Sequence, residues 1–271
     1  MKYFLVSVSV LMLFVTARAG DHWRPAGARS AAMGMVSVSF PDSWSIHNNQ
    51  AGMAFYNRPV AAFYYENSFL LKELGYQAAA FTLPTRYGVF GGNVAYTGDA
   101  VYNEANVGIA YSRAFGNHFA AGIQLDYLHT GLSNEYGSSG LATFEAGILA
   151  KLTSNLTFGA HVFNPLSRKV SAHCDERIPA IMRAGFTYTF SEALLLSAEV
   201  SKNSLQPIQF MAGTEYRFFK KGFARIGLAT NPFKYTFGFG LEIKNFTFDI
   251  SSSIHEVLGY SPQVSLQYAF R

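Results

Sequence analysis

The sequence predicts an all-β protein, a transmembrane antiparallel β-barrel of about 14 strands preceded by an N-terminal plug segment. Three observations predict this fold. Apolar and polar residues alternate with a period of two in consecutive segments from residue 58 to the C-terminus. Aromatic residues make up 16% of the chain, which also has 24 glycines and 14% charged residues. Beyond residue 20, no segment is long and apolar enough to cross a membrane as a helix.

The N-terminus predicts export from the cytoplasm. Lys2 is followed by an apolar run over residues 3–15 and by Ala17-Arg18-Ala19 before Gly20. Such a run ending in a small-x-small pattern is typical of a cleaved secretory signal peptide, whereas a membrane anchor needs about 20 apolar residues. We therefore expect residues 1–19 to be a signal peptide. The net charge of +4 falls to +2 when Lys2 and Arg18 are removed.

Residues 20–56 form a second predicted element, because the two-residue alternation is absent there. Barrels of about eight strands fill their interior with side chains, and barrels of about 16 leave an aqueous channel. About 14 strands therefore enclose space that wall side chains alone do not fill. We expect residues 20–56 to be a periplasmic or plug segment, and residues 57–271 to be the barrel.

The strands of the predicted barrel follow from the alternation and the turn signals. Residues 233–243 show the pattern best, with Phe, Tyr, Leu and Ile on one face and Lys, Thr, Gly and Glu on the other. A soluble β-sandwich would also alternate, but its solvent faces would be richer in Lys and Glu than in Gly, Ala, Ser and Thr. The predicted strands are 58–66, 74–83, 87–97, 102–114, 118–129, 141–152, 155–164, 180–190, 193–202, 207–218, 222–231, 234–243, 246–254 and 262–271.

The connections between these strands alternate between tight turns and longer loops, as they do in bacterial outer-membrane barrels. The longer loops are expected at 66–72, 98–105, 131–140 and 165–179, and Asn231-Pro232 is an exception to the alternation. With an even number of strands, both termini are expected in the periplasm. Aromatic residues near strand ends are expected to form the interfacial girdles, in contact with outer-membrane lipid.

Charged residues on the predicted inner face are the candidate functional groups. Ionisable groups at membrane depth are costly unless they face water or a partner, so they are expected in the lumen. Two interpretations stay open: they hold the plug and neighbouring strands together, or they line a substrate path. The candidates are Asp126, Glu145, Glu199, Glu215, Arg217, Arg225, Glu242 and Asp249.

Several function classes are disfavoured. The basic residues are scattered, so no nucleic-acid partner is expected. The single cysteine, Cys174, forms no intramolecular disulfide, and the run from His173 to Glu176 is interpreted as an outer loop because adjacent residues rarely converge on one metal ion. No nucleophile motif is present. We predict no cofactor, no metal and no enzymatic activity, although a site assembled from distant strands stays an alternative.

Two motifs in the N-terminal segment resemble a known family. The first comprises Gly27, Ala28, Arg29, Ser30, Ala31, Ala32, Met33 and Gly34, and the second is Asn49-Gln50-Ala51-Gly52-Met53. They are similar to the motifs of the PorV/PorQ outer-membrane barrels of Bacteroidota, relatives of the FadL long-chain fatty acid transporters. Met35 stands where that family commonly has a second glycine, and Gln50 stands where it usually has proline.

The resemblance implies a cell outer-membrane location and three alternative functions. PorV-like proteins are envelope components linked to type IX secretion or surface protein assembly, with secretion-system or cargo proteins as partners. FadL-like proteins are passive channels for hydrophobic small molecules, which bind in the lumen past an N-terminal hatch. The third alternative is an outer-membrane enzyme. We favour the PorV/PorQ role at this stage, because the two motifs match that group.

Overall fold

A computed structural model describes residues 23–132, 137–167, 169–171 and 174–271. The predicted signal peptide, residues 1–19, lies outside the described residues, as does His173. Within the described part of the chain, no helix has the length and apolarity to cross a membrane.

The fold is a closed 14-stranded antiparallel barrel, which confirms the predicted barrel and its strand number. Each strand pairs with its neighbours in chain order, and the first strand closes on the last, with Val60 opposite Ala269. The barrel strands are β1 (Val60–Asn67), β2 (Gly75–Thr85), β3 (Gly88–Gly98), β4 (Tyr102–Phe115), β5 (Phe119–Leu132), β6 (Ser138–Lys151), β7 (Leu156–Phe163), β10 (Ile181–Thr189), β11 (Leu194–Asn203), β12 (Gln209–Phe218), β13 (Gly222–Ala229), β14 (Lys234–Ile243), β15 (Phe246–His255) and β16 (Gly259–Ala269).

Two further strands lie outside the barrel. β8 (Lys169–Ser171) and β9 (Cys174–Arg177) form a separate hairpin, while β7 pairs directly with β10. The sequence had predicted an irregular loop here, and its alternation is too short to predict a strand pair.

The alternation separates the two faces of the wall as expected. Ile109 and Leu125 are 71% and 70% exposed on the outer face. Their neighbours in sequence, such as Gly108 and Gln124, point inward and are buried. A closed barrel leaves no strand edge unpaired, so a wall with an apolar outer face meets the requirement for crossing a bilayer.

The two ends of the barrel differ. The turn end carries tight turns such as Gly116-Asn117 and Lys244-Asn245, and the loop end carries the connection that follows β1, which contains the short helices Ser68–Leu70 and Lys72–Leu74. Two loops at this end are shorter than expected. β4 begins at Tyr102, the predicted start of its strand, which lies inside the expected loop 98–105, and β6 begins at Ser138, three residues before its predicted start, because its pairing with β5 extends further.

Residues 23–56, called here the N-terminal segment, are packed against the inner face of the wall. They contain α1 (Ala28–Ala32), α2 (Ser45–Asn48) and a 3-10 helix (Gln50–Phe55). α1 lies against β13, β14, β15 and β16, whereas the 3-10 helix lies against β3, β4, β5 and β6. Nearly all of these residues are buried, so the segment occupies the lumen from one side of the wall to the other.

Candidate functional site

The first motif places backbone directly against the wall. Gly34 has φ +72°, and a Cβ there would lie 2.3 Å from the carbonyl oxygen of Leu228. Its N–H donates to Thr236 Oγ1 at 2.8 Å, and Thr236 Oγ1 donates to the carbonyl of Ala32 at 2.8 Å. On the wall, Gly213 and Gly227 leave room for the backbone of Met33. Small residues on both surfaces therefore allow this close approach, which accounts for the Gly-rich inner face.

Met35 also lies in the left-handed region, at φ +72°. This region favours glycine, the residue that the resembled family commonly has at this position. The methionine side chain is half-buried and packs beside Met33, Val36 and Met211. Met35 therefore has a strained backbone conformation, and its apolar side chain lies at the loop end of the barrel.

The second motif holds two parts of the N-terminal segment to the wall. Asn49 Nδ2 donates to the carbonyl oxygens of Val38 at 2.6 Å and Ile148 at 3.0 Å. Its Oδ1 accepts from the N–H of Ala51, which begins the 3-10 helix. Gly52 packs against Ser45, where a Cβ would lie 2.4 Å from the hydroxyl. Asn49 thus joins strand β6 to both halves of the segment.

Arg29 from the first motif enters an ion-pair network, called here the arginine cluster. Its Nε and Nη2 donate to both oxygens of Glu215 at 2.9 Å each. Arg225 Nε donates to Glu215 Oε2 at 2.6 Å, and its Nη1 donates to Asp249 Oδ1 at 2.6 Å. A Cβ on Gly240 would lie 2.3 Å from Asp249 Oδ1 and 2.7 Å from Arg225 Nη1, so this glycine leaves the space that the pair fills.

Asp42 completes the contacts of Arg29 within the N-terminal segment. Its Oδ2 lies 3.7 Å from Arg29 Nη1, and its Oδ1 accepts from the N–H of Trp44 at 3.0 Å. Burial raises the pKa of Asp42 to about 6, although Arg29 and the N–H of Trp44 oppose the shift. Asp42 is consequently less stable as a carboxylate than Glu215, which has two arginine partners.

A second buried pair, Arg183 and Glu199, anchors the middle of the segment. Arg183 Nε donates to Glu199 Oε1 at 2.6 Å, and Arg183 Nη1 donates to the carbonyl of Asn48 at 3.0 Å. Glu199 Oε2 accepts the backbone N–H groups of Ser37 and Val38 at 2.7 and 2.9 Å. Both side chains are almost fully buried, so their charges depend on these partners.

The opposite part of the wall carries a different group, called here the amide cluster: Asn93, Asn106, Gln124, Asp126 and Glu145. Gln124 Nε2 donates to Asp126 Oδ1 at 2.7 Å and lies 3.4 Å from Glu145 Oε1. All five residues are buried. In the described part of the chain, neither carboxyl group forms an ion pair with a lysine or an arginine.

Two neutral groups contact Glu145 from either side. Gln50 Nε2, in the 3-10 helix, lies 2.6 Å from Glu145 Oε2, and His161 Nε2 lies 2.8 Å from the same oxygen. Gln50 thus supplies a wall contact that proline could not provide at this motif position.

His47 links the segment to Asn93 of the amide cluster. Its Nε2 lies 2.7 Å from the carbonyl oxygen of Arg24, so Nε2 carries the proton and Nδ1 accepts from Asn93 Nδ2 at 3.1 Å. Burial lowers the pKa of His47 to about 4, and Arg183 and His161 add to the shift. His47 is therefore neutral at physiological pH, and Asn93 Oδ1 faces away from it.

The N-terminal segment separates two cavities of about 280 Å³ each. The turn-end cavity is polar and includes the arginine cluster together with Arg217 and Glu242. The loop-end cavity mixes polar groups with apolar side chains, which are Trp23, Met35, Phe69, Leu74, Ile181 and Met211.

The predicted lumen residues thus fall into four places. Glu215, Arg225 and Asp249 come together, Asp126 lies near Glu145, Glu199 pairs with Arg183, and Arg217 and Glu242 line the turn-end cavity. Sequence reasoning missed Arg183, His161, Asn93, Asn106 and Gln124. Extending the alternation by one position from Ala184 places Arg183 inward, so that signal was present; nothing in the sequence pairs Gln50 with Glu145.

No three His, Cys, Asp or Glu side chains converge on a common point among the described residues.

Comparison with known proteins gives a fold relationship. No protein-family description and no curated protein matches the sequence. A FadL homologue of Pseudomonas aeruginosa has a TM-score of 0.69 at 13% identity, over 92% of this chain and 98% of that one. The toluene transporter TbuX of Ralstonia pickettii has a TM-score of 0.67 at 13% identity, over 92% of this chain and 98% of that one. The toluene transporter TodX of Pseudomonas putida has a TM-score of 0.69 at 13% identity, over 92% of this chain and 99% of that one. The chain therefore shares the fold of the FadL-type barrels.

Proposed function

We propose that this protein is a passive outer-membrane conduit for hydrophobic small molecules, in which residues 23–56 act as the plug. The observation that carries the proposal is the loop-end cavity. It opens at the end of a FadL-type barrel, has a patch of apolar side chains among the polar groups of its walls, and has the N-terminal segment as its floor.

The dimensions of this cavity suit a small apolar ligand. Its volume is about 280 Å³, and a cavity of about 150 Å³ lined by apolar side chains is enough to bind benzene. Trp23, Met35 and Met211 supply polarisable apolar surface, which adapts to ligands of different shape. The TbuX and TodX neighbours are toluene transporters, so a monoaromatic hydrocarbon is the natural first probe.

The plug role follows from how the segment is held. It is fixed to the wall by Arg29, Asn49 and the pair Arg183–Glu199, and it lies between the two cavities. A ligand that crosses the barrel must pass or displace this segment. The PorV/PorQ assignment and a link to type IX secretion rest on the two sequence motifs alone, so we favour the conduit.

The proposal is tested by toluene uptake into cells that express the protein. Met211→Trp fills the loop-end cavity, and we expect it to lower the initial uptake rate at least about threefold, as loss of a pre-formed apolar site requires. Leu125→Trp, on the lipid-facing surface, is the matched control and should take up toluene at the native rate. If cells that express the native protein take up toluene no faster than cells without it, the proposal is contradicted.

Ligand binding is measured separately through the tryptophans. The chain has two, Trp23 in the loop-end cavity and Trp44 in the core of the N-terminal segment. In a Trp44→Phe variant, bromobenzene should quench the remaining Trp23 fluorescence saturably. In a Trp23→Phe variant, quenching of Trp44 should stay weak and unsaturated. Equal quenching of both would show partition into detergent rather than a site.

A further inference from the structure

We propose that the amide cluster is a binding site for a hard metal cation, held by the Asp126 carboxylate and the side-chain oxygens of Asn93 and Asn106. The site lies in the barrel wall, faces the lumen, and is independent of what the barrel conducts.

The wall register brings these groups together. Asn93, Gly108 and Asp126 lie opposite one another on β3, β4 and β5, and Asn106 lies two residues before Gly108 on the same inward face. Gly108 has no side chain to fill the space. A Cβ there would lie 2.3 Å from Asn93 Oδ1, 2.6 Å from Gln124 Nε2 and 2.8 Å from Asp126 Oδ1, so these groups meet over the glycine, and a bound cation would replace Gln124 Nε2 as the partner of Asp126 Oδ1.

Several of these buried polar atoms have no hydrogen-bond partner. Asn93 Oδ1 is the clearest case, and Asp126 Oδ2 and both amide atoms of Asn106 also lack a partner at normal hydrogen-bond geometry, although Asn106 lies close enough to Asp126 to stabilise its carboxylate; the three side chains are 4%, 3% and 4% exposed. His47 fixes the orientation of Asn93, since Nδ2 donates to His47 and leaves Oδ1 directed toward Gly108. A buried oxygen without a partner costs free energy, and these oxygens belong to residues on the same inward face of the adjacent strands β3, β4 and β5.

Charge gives an independent reason. Asp126 and Glu145 share the donor Gln124 Nε2, and no basic side chain contacts Asp126 among the described residues. Arg183 acts on Glu145 electrostatically, but its guanidinium is bonded to Glu199. Two neighbouring carboxylates in a low-dielectric setting require either a bound cation or a shared proton.

The ligand chemistry selects the class of cation. Carboxylate and amide oxygens without thiolate favour Ca²⁺ and similar hard cations, which take six to eight oxygen ligands including water. A proton shared by Asp126 and Glu145 would neutralise one carboxyl group but would leave Asn93 Oδ1 without a partner. A metal cation would both neutralise the carboxylate charge and coordinate the unpartnered oxygens.

The test measures the thermal stability of the full chain in detergent after treatment with a chelator. CaCl2, NaCl and MgCl2 are added separately, with choline chloride at equal ionic strength as the reference. At a hundredfold excess over Kd, a bound cation should raise the unfolding midpoint by roughly 5–10 °C. The response should be lost in Asp126→Asn and Asn106→Leu, two changes that conserve side-chain size.

Glu242→Gln is the matched control, because it removes a lumen-facing carboxylate outside the amide cluster. It should keep the full response. Equal responses in all variants would place the cation on the surface and overturn the proposal. Absence of any metal response in the native chain would overturn it too, and an infrared band of a protonated carboxyl group that disappears in Asp126→Asn would then identify a proton as the occupant.

Discussion

Two parts of the barrel wall each bury an aspartate on the inner face, but they surround it with different side chains. Over Gly240, the arginine cluster pairs Asp249 with Arg225, and Arg225 with Glu215. Over Gly108, the amide cluster surrounds Asp126 with Asn93, Asn106 and Gln124. Both clusters use an inward glycine to admit polar side chains between adjacent strands, but the first contains its own cations and the second contains none.

The difference extends to the N-terminal segment. It contributes a charged residue, Arg29, to the arginine cluster, and neutral residues, Gln50 and His47, to the amide cluster and its surroundings. The first contact is an ion pair that resists separation, and in the second the segment contributes only uncharged side chains, which form hydrogen bonds. We therefore expect the segment to be held most firmly against β10–β16 and to separate first from β3–β7.

The largest effect is expected from Arg183→Met. The change leaves Glu199 buried with its charge unpaired and removes the bond to the Asn48 carbonyl, so we expect a loss of about 3–5 kcal/mol in the free energy of unfolding. Urea unfolding of the chain in lipid vesicles measures it. The double variant Arg183→Met/Glu199→Gln should recover part of the loss. If the single and double variants were equally unstable, the charge of Glu199 would not be the cause.

The next effect concerns pH and His47. Its pKa is lowered in the folded chain from 6.5 to about 4, so the unfolded chain binds this proton more strongly. The stability associated with neutral His47 is therefore fully present above pH 6.5 and is lost as the pH falls toward 4. The difference corresponds to about 3 kcal/mol at most.

Replacement of His47 by Gln removes the titrating group and keeps a donor for Arg24. We expect the variant to lose less stability than the native chain between pH 6.5 and 4. Asp42 works in the opposite direction, because its raised pKa favours the folded state as the pH falls below about 6. Asp42 is present in both the native chain and the His47→Gln variant, so its contribution cancels when their stabilities are compared. Identical profiles of stability against pH would show that His47 does not cause the loss of stability at low pH.

The smallest of the three effects is expected from Arg29→Ala. Glu215 keeps Arg225 as a partner, so the loss is the bidentate bond of Arg29, about 2 kcal/mol. The segment should then separate more easily from the arginine cluster. In a Cys174→Ser background, a cysteine placed at buried Ala31 should react faster with a thiol reagent when Arg29 is absent. An unchanged rate would show that Arg29 does not hold the segment.

The sequence by itself determined the barrel. Two-residue alternation through consecutive segments needs no tertiary information, because each strand must place one face toward lipid and the other toward the lumen. The same alternation places Asp126, Glu145, Glu199, Glu215, Arg225 and Asp249 on the predicted inner face, and all six side chains are buried in the structure. Both N-terminal motifs contain residues that approach the wall in the structure, such as Gly34 and Asn49, and the positive φ of Met35 lies at the position where the resembled family commonly has glycine.

The tertiary structure decided which inward residues meet. Gln50 contacts Glu145 and Arg29 contacts Glu215 across 95 and 186 positions of the chain. Strand register and the path of the N-terminal segment set these contacts, and alternation determines only which face a side chain is on. For the same reason, the sequence shows only that Asp126 and Asp249 point inward. Strand register places each beside a glycine of the next strand, Gly108 and Gly240, and decides that Asp249 contacts an arginine while Asp126 contacts amides.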